Sequence, residues 1–370
     1  MKKYLQLTIL LFTLALLSVP VAAYESRAIV SGVCMGETTE DLLPLRDIIE
    51  HAGGTVTWND GRITIRRGNH TATITIGSTS ATVGNRTVEL SAPPRLIDGR
   101  TMAPTCLFGE HLGFGVGYKN NNFILSASPA RQIAVLTYHH ILPDEVNTRF
   151  VDNPWTVSTE EFALQMRYLR DNGFYTPTLW ELEAFLYHGR PLPSPSVMIH
   201  FDDGYYSNYV YAYPILRRYG LRAVIFPITA NAEALGEYQP PICHNSLTWA
   251  AAGTLNTRTD VFETASHTHD LHSLAYGTNR TLLVTETREN IIADTLRSFE
   301  FVSNHRAFAY PHGQFNNTVI EALAEAGITM AFTINSGYVT TRSNPFQLNR
   351  FTIYRDTTMA RFRAIVNGRG

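Results

Sequence analysis

Val197-Met198-Ile199-His200-Phe201-Asp202-Asp203-Gly204 starts as a buried strand and ends as a turn. The apolar run Val197–Phe201 suits a strand covered on both faces, and the Gly204 that follows lets the chain turn at its carboxyl end. The same kind of unit recurs on either side. Ile133–Tyr138 reads as a strand, and Ser158-Thr159-Glu160-Glu161 is a capping-box signature that opens a helix over Glu160–Asn172, closed by Gly173. A helix near Asn208–Tyr219 leads into strands over Arg222–Ile228 and Val261–Ser266. Then come a long helix over Leu282–Phe301, a strand over Ala307–Tyr310 and a helix over Thr318–Ala326 ended by Gly327. Met330–Ile334 and Gln347–Ile353 are the last expected strands. Repeated strand–helix alternation predicts an α/β architecture, a parallel sheet covered by helices and either open or closed into a barrel. Active sites in such folds lie at the carboxyl ends of the strands.

Three clusters fall at those ends. The first is His200-Phe201-Asp202-Asp203-Gly204. Neighbouring residues on a strand face opposite ways, so two adjacent aspartates share one site only if the backbone turns between them. Two close carboxylates repel unless a cation lies between them or one is protonated, which makes the pair a metal-site signature. The tripeptide alone also suits a solvated turn. The second cluster, Ser266-His267-Thr268-His269-Asp270-Leu271-His272, holds three of the chain's 13 histidines. Imidazoles are good ligands for zinc and its neighbours. His267 and His272 would point about 140° apart on a regular helix, so they converge only through an irregular turn. His269 and His272 would suit a helix better, and spacing does not choose between the pairs. The third cluster, Ala309-Tyr310-Pro311-His312-Gly313, reads equally well as an ordinary turn.

The amino-terminal third carries a different pattern. Leu42–Ile65 aligns with Met102–Leu125 at a constant offset of 60, pairing Pro44 with Pro104, Glu50-His51 with Glu110-His111, Gly53 with Gly113 and Trp58 with Tyr118. Each copy reads as a proline near a helix start, a short amphipathic helix, a glycine stop and a hairpin through Asn59-Asp60-Gly61 or Asn120-Asn121-Asn122. Residues 27–128 thus form a small α+β domain built on an internal repeat, joined by Ser128-Pro129-Ala130 to a second domain over residues 130–370. The repeated Glu-His pair sits at a helix end beside a glycine stop, which favours a solvated or capping role over a metal site.

With 370 residues, the chain is long enough for two domains. A net charge of −2 gives no electrostatic reason to expect nucleic acid or an anionic membrane as a partner. Lys2 and Lys3, the apolar run Leu5–Leu17, Pro20 and Val21-Ala22-Ala23 have the form of an export signal over residues 1–23, cleaved after Ala23. The apolar run is shorter than the ~20 residues of a spanning helix, so the expected mature protein is secreted, without a membrane anchor. Cys34, Cys106 and Cys243 are odd in number and widely spread, which predicts small buried side chains rather than a disulfide framework.

Taken together and in order, the three clusters resemble the polysaccharide deacetylase family, carbohydrate esterase family 4, over roughly Gln132 to the end of the chain. Asp202-Asp203-Gly204 stands where that family carries Thr-Phe-Asp-Asp-Gly, and His267-Thr268 through His272 stands where it carries its His-Ser/Thr and second His. The five-residue separation, the segment Val135-Leu136-Thr137-Tyr138-His139-His140-Ile141 and the segment Phe308–Gly313 resemble the branch acting on poly-N-acetylglucosamine. The resemblance implies a distorted (β/α) barrel that removes N-acetyl groups from an N-acetylglucosamine polymer, peptidoglycan or poly-N-acetylglucosamine. It implies one divalent cation, usually zinc, on Asp203, His267 and His272, with Asp202 as general base. The family's late Leu-x-x-His is absent: Leu348-Asn349-Arg350-Phe351 stands there and no histidine follows His312. The arginine that precedes the family's Pro-Tyr pair is also missing, and His200 replaces its threonine. The proton donor is therefore open among His139, His140 and His312, or absent. Residues 27–128 resemble the copper amine oxidase N-terminal-like domain of secreted bacterial proteins, which implies a wall-associated module. Two other readings are a glycan-binding protein that does not turn over, and a glycoside hydrolase using Asp202 or Asp203 with a second carboxylate. Trp155, Tyr205, Tyr206 and Trp249 are candidates to stack on sugar rings.

Overall fold

A computed structural model describes residues 26–38, 41–244 and 246–370; the expected export signal over residues 1–23 lies outside the described residues. Apolar residues from Ala28 to Leu125 form one core, and those from Ala130 to Val366 form three, one inside the second domain's barrel and two outside it.

The internal repeat is visible in three dimensions. The helix Leu45–His51 leads into the hairpin Thr55–Asn59/Arg62–Arg67, and sixty residues on the helical turn Leu107–His111 leads into Gly115–Lys119/Asn122–Ser126. Both hairpin turns put two residues at positive φ, Asp60 and Gly61 in one and Asn120 and Asn121 in the other. Such turns favour glycine, asparagine and aspartate, whose short side chains tolerate the left-handed region. Glu50 is paired with exposed Arg46, and His51 is exposed. Among the described residues neither Glu-His pair joins a third ligand group. Cys34 and Cys243 are exposed, and Cys106 is half-buried beside Ser91, so the expectation of three buried cysteines is corrected.

The second hairpin docks against the second domain. Tyr118 N–H donates to Tyr175 Oη at 3.0 Å and to Glu181 Oε1 at 3.1 Å, and Val116 N–H donates to Pro191 O at 2.9 Å. A side chain at Gly117 would start 2.4 Å from the Tyr175 ring, so this approach requires glycine there.

The second domain is a seven-stranded, wholly parallel sheet. Its strands are β1 (Ala134–Tyr138), β2 (Val197–Asp203), β3 (Ala223–Pro227), β4 (Phe262–Ser266), β5 (Asn304–Ala309), β6 (Met330–Phe332) and β7 (Phe351–Thr352). They lie side by side as β6-β5-β4-β3-β2-β1-β7. The sheet curls until its edges are stitched by the segment leading into β7: Leu348 N–H donates to Ala331 O at 2.9 Å, and Thr333 N–H to Leu348 O at 2.8 Å. Closure of this kind removes the exposed edges an open sheet would present. Alternate residues divide between the faces. Val135, Met198, Val224, Phe226, Ala307 and Phe332 fill the interior, while Leu136, Ile199, Phe201 and Ile225 pack on the surrounding helices.

Those helices include α1 (Thr159–Asp171), whose Ser158 side chain caps the Glu161 N–H as expected, and α2 (Leu179–His188), which the sequence reading passed over. Leu179, Leu182 and Phe185 of α2 join the interior core at the amino ends of the strands. The expected long helix over Leu282–Phe301 is corrected to two pieces, Leu282–Thr285 and Arg288–Ser298. Thr287 leaves the helical conformation and caps the Asn290 N–H, so a helix starts afresh where apolar periodicity suggested continuation. The strand expected over Gln347–Ile353 shrinks to β7, because Leu348 bonds to β6 rather than to β1. No helix of the described residues is long and apolar enough to cross a membrane.

Candidate active site

Period-two alternation aims Met198, His200 and Asp202 of β2 at the barrel interior, and on the same rule Asp203 should face away. The backbone breaks the rule at that point. Asp203 has φ +72° and Gly204 φ +78°, which swings the second carboxylate back over the carboxyl end of the barrel. Gly204 is obligatory for two reasons: its positive φ, and a Cβ there would lie 2.7 Å from Pro227 Cβ.

His267 leaves β4 on the inward face, and Thr268, with φ +75°, turns the chain so that His272 comes round to meet it. Asp203 Oδ1 lies 3.6 Å from His267 Nε2 and 3.4 Å from His272 Nε2. Ligand atoms of the three residues all fall within 4.8 Å of one another. The structure thus chooses His267 with His272; His269 turns the other way, to Thr229 Oγ1 at 2.9 Å and Glu233 Oε2 at 3.2 Å. Whether the trio suits a divalent cation can be judged from its outer contacts. His267 Nδ1 is 2.7 Å from Ala309 O, and a carbonyl can only accept, so Nδ1 carries the proton and Nε2 presents a lone pair to the site. One carboxylate and two imidazoles are a donor set for zinc and its neighbours. The residues fit the group.

Asp202 has a partner that sequence reasoning missed. Arg350, fully buried just before β7, grips it with two 2.7 Å hydrogen bonds, Nη1 to Oδ1 and Nη2 to Oδ2, while its Nε–H donates to Thr333 O at 2.7 Å. Burial alone would raise the Asp202 pKa. The guanidinium, with His267 and His139, more than offsets this and holds it at about 2. Burial also opposes the charge of Asp203, but its hydrogen bonds with His267 and His272 hold that carboxyl well below the usual range. An arginine, lacking from the third cluster, is thus supplied by the segment just before β7, next to the position where the late histidine is lacking. A charged residue inside the strand expected over Gln347–Ile353 was the available signal.

The histidines left open also separate. His139 continues the inward face of β1 and lies within Coulombic reach of Asp202, Asp203 and His267, with its ring 4.5 Å from Trp155. Burial pushes its pKa down, the two aspartates pull it up, and the net shift is downward. His140 faces the other way, 2.6 Å from Ser207 Oγ and stacked on Tyr205, where burial lowers it to about 4. His312, at φ +53°, brings its ring 5.0 Å from that of His272. Burial and then His272 lower its pKa. Tyr310 points into the outer core and donates to Phe346 O, outside the site. Tyr205 is hydrogen-bonded to Asp203 and stacked on Trp249 at 4.7 Å. Tyr206 packs against the outer core instead.

Comparison with known proteins finds the same two-part organisation and the same fold for the second domain. The polysaccharide deacetylase family profile matches residues 189–331, and the copper amine oxidase N-terminal domain profile matches residues 34–125. The chain is 31% identical over 211 residues to a poly-beta-1,6-N-acetyl-D-glucosamine N-deacetylase of Staphylococcus aureus, covering 55% of this chain and 69% of that protein. It is 26% identical over 238 residues to the enzyme of the same description from Escherichia coli, covering 56% of this chain but only 35% of that longer protein. In fold it is similar to a Streptococcus pyogenes deacetylase solved with acetate, with a TM-score of 0.53 and 22% identity over 65% of this chain and 99% of that one. The chain belongs to the polysaccharide deacetylase family.

Proposed function

We propose that the protein is a metal-dependent hydrolase that removes N-acetyl groups from an N-acetylglucosamine polymer of the poly-N-acetylglucosamine type. The observation that carries this reading is the convergence of Asp203, His267 and His272 within 4.8 Å, beside an Asp202 that Arg350 keeps ionised. The S. aureus and E. coli relatives named for that substrate support it. Asp203, His267 and His272 would hold one divalent cation, which we take to be zinc. When bound, it would lower the pKa of a water in the site and polarise the acetyl carbonyl.

The protein's own groups supply the rest. Asp202 is ionised throughout the working range, and each of its oxygens keeps a second lone pair beyond the bond from Arg350. It can therefore accept the proton of the attacking water. A carboxylate with a pKa of about 2 is a weak base, so it depends on a water made more acidic than bulk. The departing amine needs a proton, and His139 is the group placed for that transfer, with His312 on the far side of His272. Trp155 and the Tyr205–Trp249 stack form walls against which a sugar ring can lie. Glycoside hydrolysis is less well supported, because it needs one carboxyl kept protonated and both carboxylates here are pushed down. The form of residues 1–23 supports export, and the amino-terminal domain supports wall association.

The test is mass spectrometry of an N-acetylglucosamine oligomer incubated with the protein. Acetate release with chain length unchanged, abolished by a chelator and restored by zinc, is the expected result. Shortened chains without a metal requirement would reassign the site to glycoside hydrolysis, and no turnover with any added cation would leave a wall-binding protein.

A further inference from the structure

Between the two candidate histidine ligands the chain adopts a loop that its own residues do not favour. Thr268 is β-branched, fully buried and at φ +75°, a left-handed conformation that such a residue adopts only under strain. It persists only if neighbouring elements hold it.

The helix Arg288–Ser298 holds one side. Asp294 Oδ1 accepts the N–H of His269 at 2.8 Å, and Oδ2 accepts the N–H of Asp270 at 2.7 Å. One turn further along the same helix face, Ser298 Oγ shares a 2.7 Å hydrogen bond with Ser266 Oγ, which accepts the Thr268 N–H at 3.2 Å. The helix Thr229–Leu235 holds the other side by taking loop carbonyls. Thr229 N–H donates to Thr268 O at 3.2 Å, and Ala230 N–H to His269 O at 3.0 Å. The strongest element of this frame is Asp294, since a charged acceptor on two backbone donors makes hydrogen bonds roughly twice as strong as neutral ones. It grips the backbone midway between the two ligands rather than the ligands themselves.

We propose that Asp294 is a positioning residue for the cation site: its carboxylate fixes the five-residue span so that His267 and His272 face Asp203 before a cation arrives. This rests on the metal-dependent reading above. Without the clamp, the loop relaxes toward ordinary backbone angles and the cation must bear the cost of drawing the two imidazoles together.

The experiment is a zinc titration of the full-length protein and its Asp294→Asn variant, read by competition with a chromophoric chelator. Asparagine keeps the shape but sets an amide NH2 against one of the two N–H groups. The expected result is a zinc dissociation constant raised ~10–100-fold, the range seen when outer contacts of metal ligands are removed. Hydrogen exchange at His269 and Asp270 should also be faster in the metal-free variant. Asp294→Glu, which retains two acceptor oxygens, should recover part of the loss and serves in place of asparagine if that variant does not fold. Ile291→Val, on the same helix, loosens the buried core while leaving the clamp intact. It should bind zinc as the wild type does. An Asp294→Asn protein that loses thermal stability but binds zinc within twofold of wild type overturns the proposal, leaving Asp294 a structural residue. A wild type that binds no zinc overturns the metal-dependent reading and this inference together, a result distinct from the first.

Discussion

Replacing Arg350 by methionine is expected to lower the stability of the protein by roughly 3–5 kcal/mol, the loss found when one member of a buried ion pair is removed. The cause is the residue left behind. Asp202 is almost fully buried, and both of its oxygens face the guanidinium. With the guanidinium removed, the buried charge loses the one counter-ion hydrogen-bonded to it, so the carboxyl must take a proton or the strand ends must separate. In the wild type the depressed pKa of Asp202 stabilises the fold fully above the unfolded value of ~3.9, and that contribution is lost as pH falls through about 2. In Arg350→Met the sign reverses: the Asp202 pKa rises above its unfolded value, and stability falls as pH climbs from the acid side. Urea denaturation at pH 4 and pH 8 measures both effects. The double variant Asp202→Asn with Arg350→Met should recover most of the loss, because it removes the buried charge altogether. If the single variant is as stable as wild type at both pH values, the ion pair does not hold the site as described.

Asp202→Asn is expected to lower kcat by ~10²–10⁴, the contribution of a positioned general base, while the zinc dissociation constant stays near that of wild type. The two readouts separate roles that adjacency in sequence conceals. Asp202 points into the barrel interior toward Arg350, whereas Asp203 is turned by its positive φ toward His267 and His272. Stopped assays of acetate release, run well below the unfolding temperature, give kcat; competition titration gives the zinc affinity. Loss of zinc binding in Asp202→Asn would place Asp202 among the ligands rather than beside them.

The strand–helix alternation from Ile133 onward, the repeat at an offset of 60 and the three clusters at strand ends were all legible in the sequence, because each depends on local pattern. What was not legible depends on closure of the barrel. Arg350 lies 148 residues from Asp202, and only the stitching of β6 to the segment before β7 brings them together. Spacing left His272 and His269 open and only the family resemblance favoured His272; the left-handed Thr268 that brings it to Asp203 is a conformation a β-branched residue does not advertise. The two adjacent histidines were separable in principle: once β1 is a strand, period two sends His139 inward with Val135 and His140 outward with Tyr138. The long helix that proved to be two failed for the opposite reason. Apolar periodicity ran through Thr287, whose capping hydroxyl ended one helix and began the next.

Metal content by elemental analysis, on wild type beside Asp203→Ala, bears most directly on whether a cation centre drives this protein. About one equivalent of zinc or a neighbouring metal in the wild type, and none in Asp203→Ala under the same loading conditions, is the outcome expected from three ligand atoms held within 4.8 Å. A wild type that stays metal-free after reloading, or an Asp203→Ala protein that retains its full equivalent, would remove the centre from these residues and the deacetylation chemistry with it.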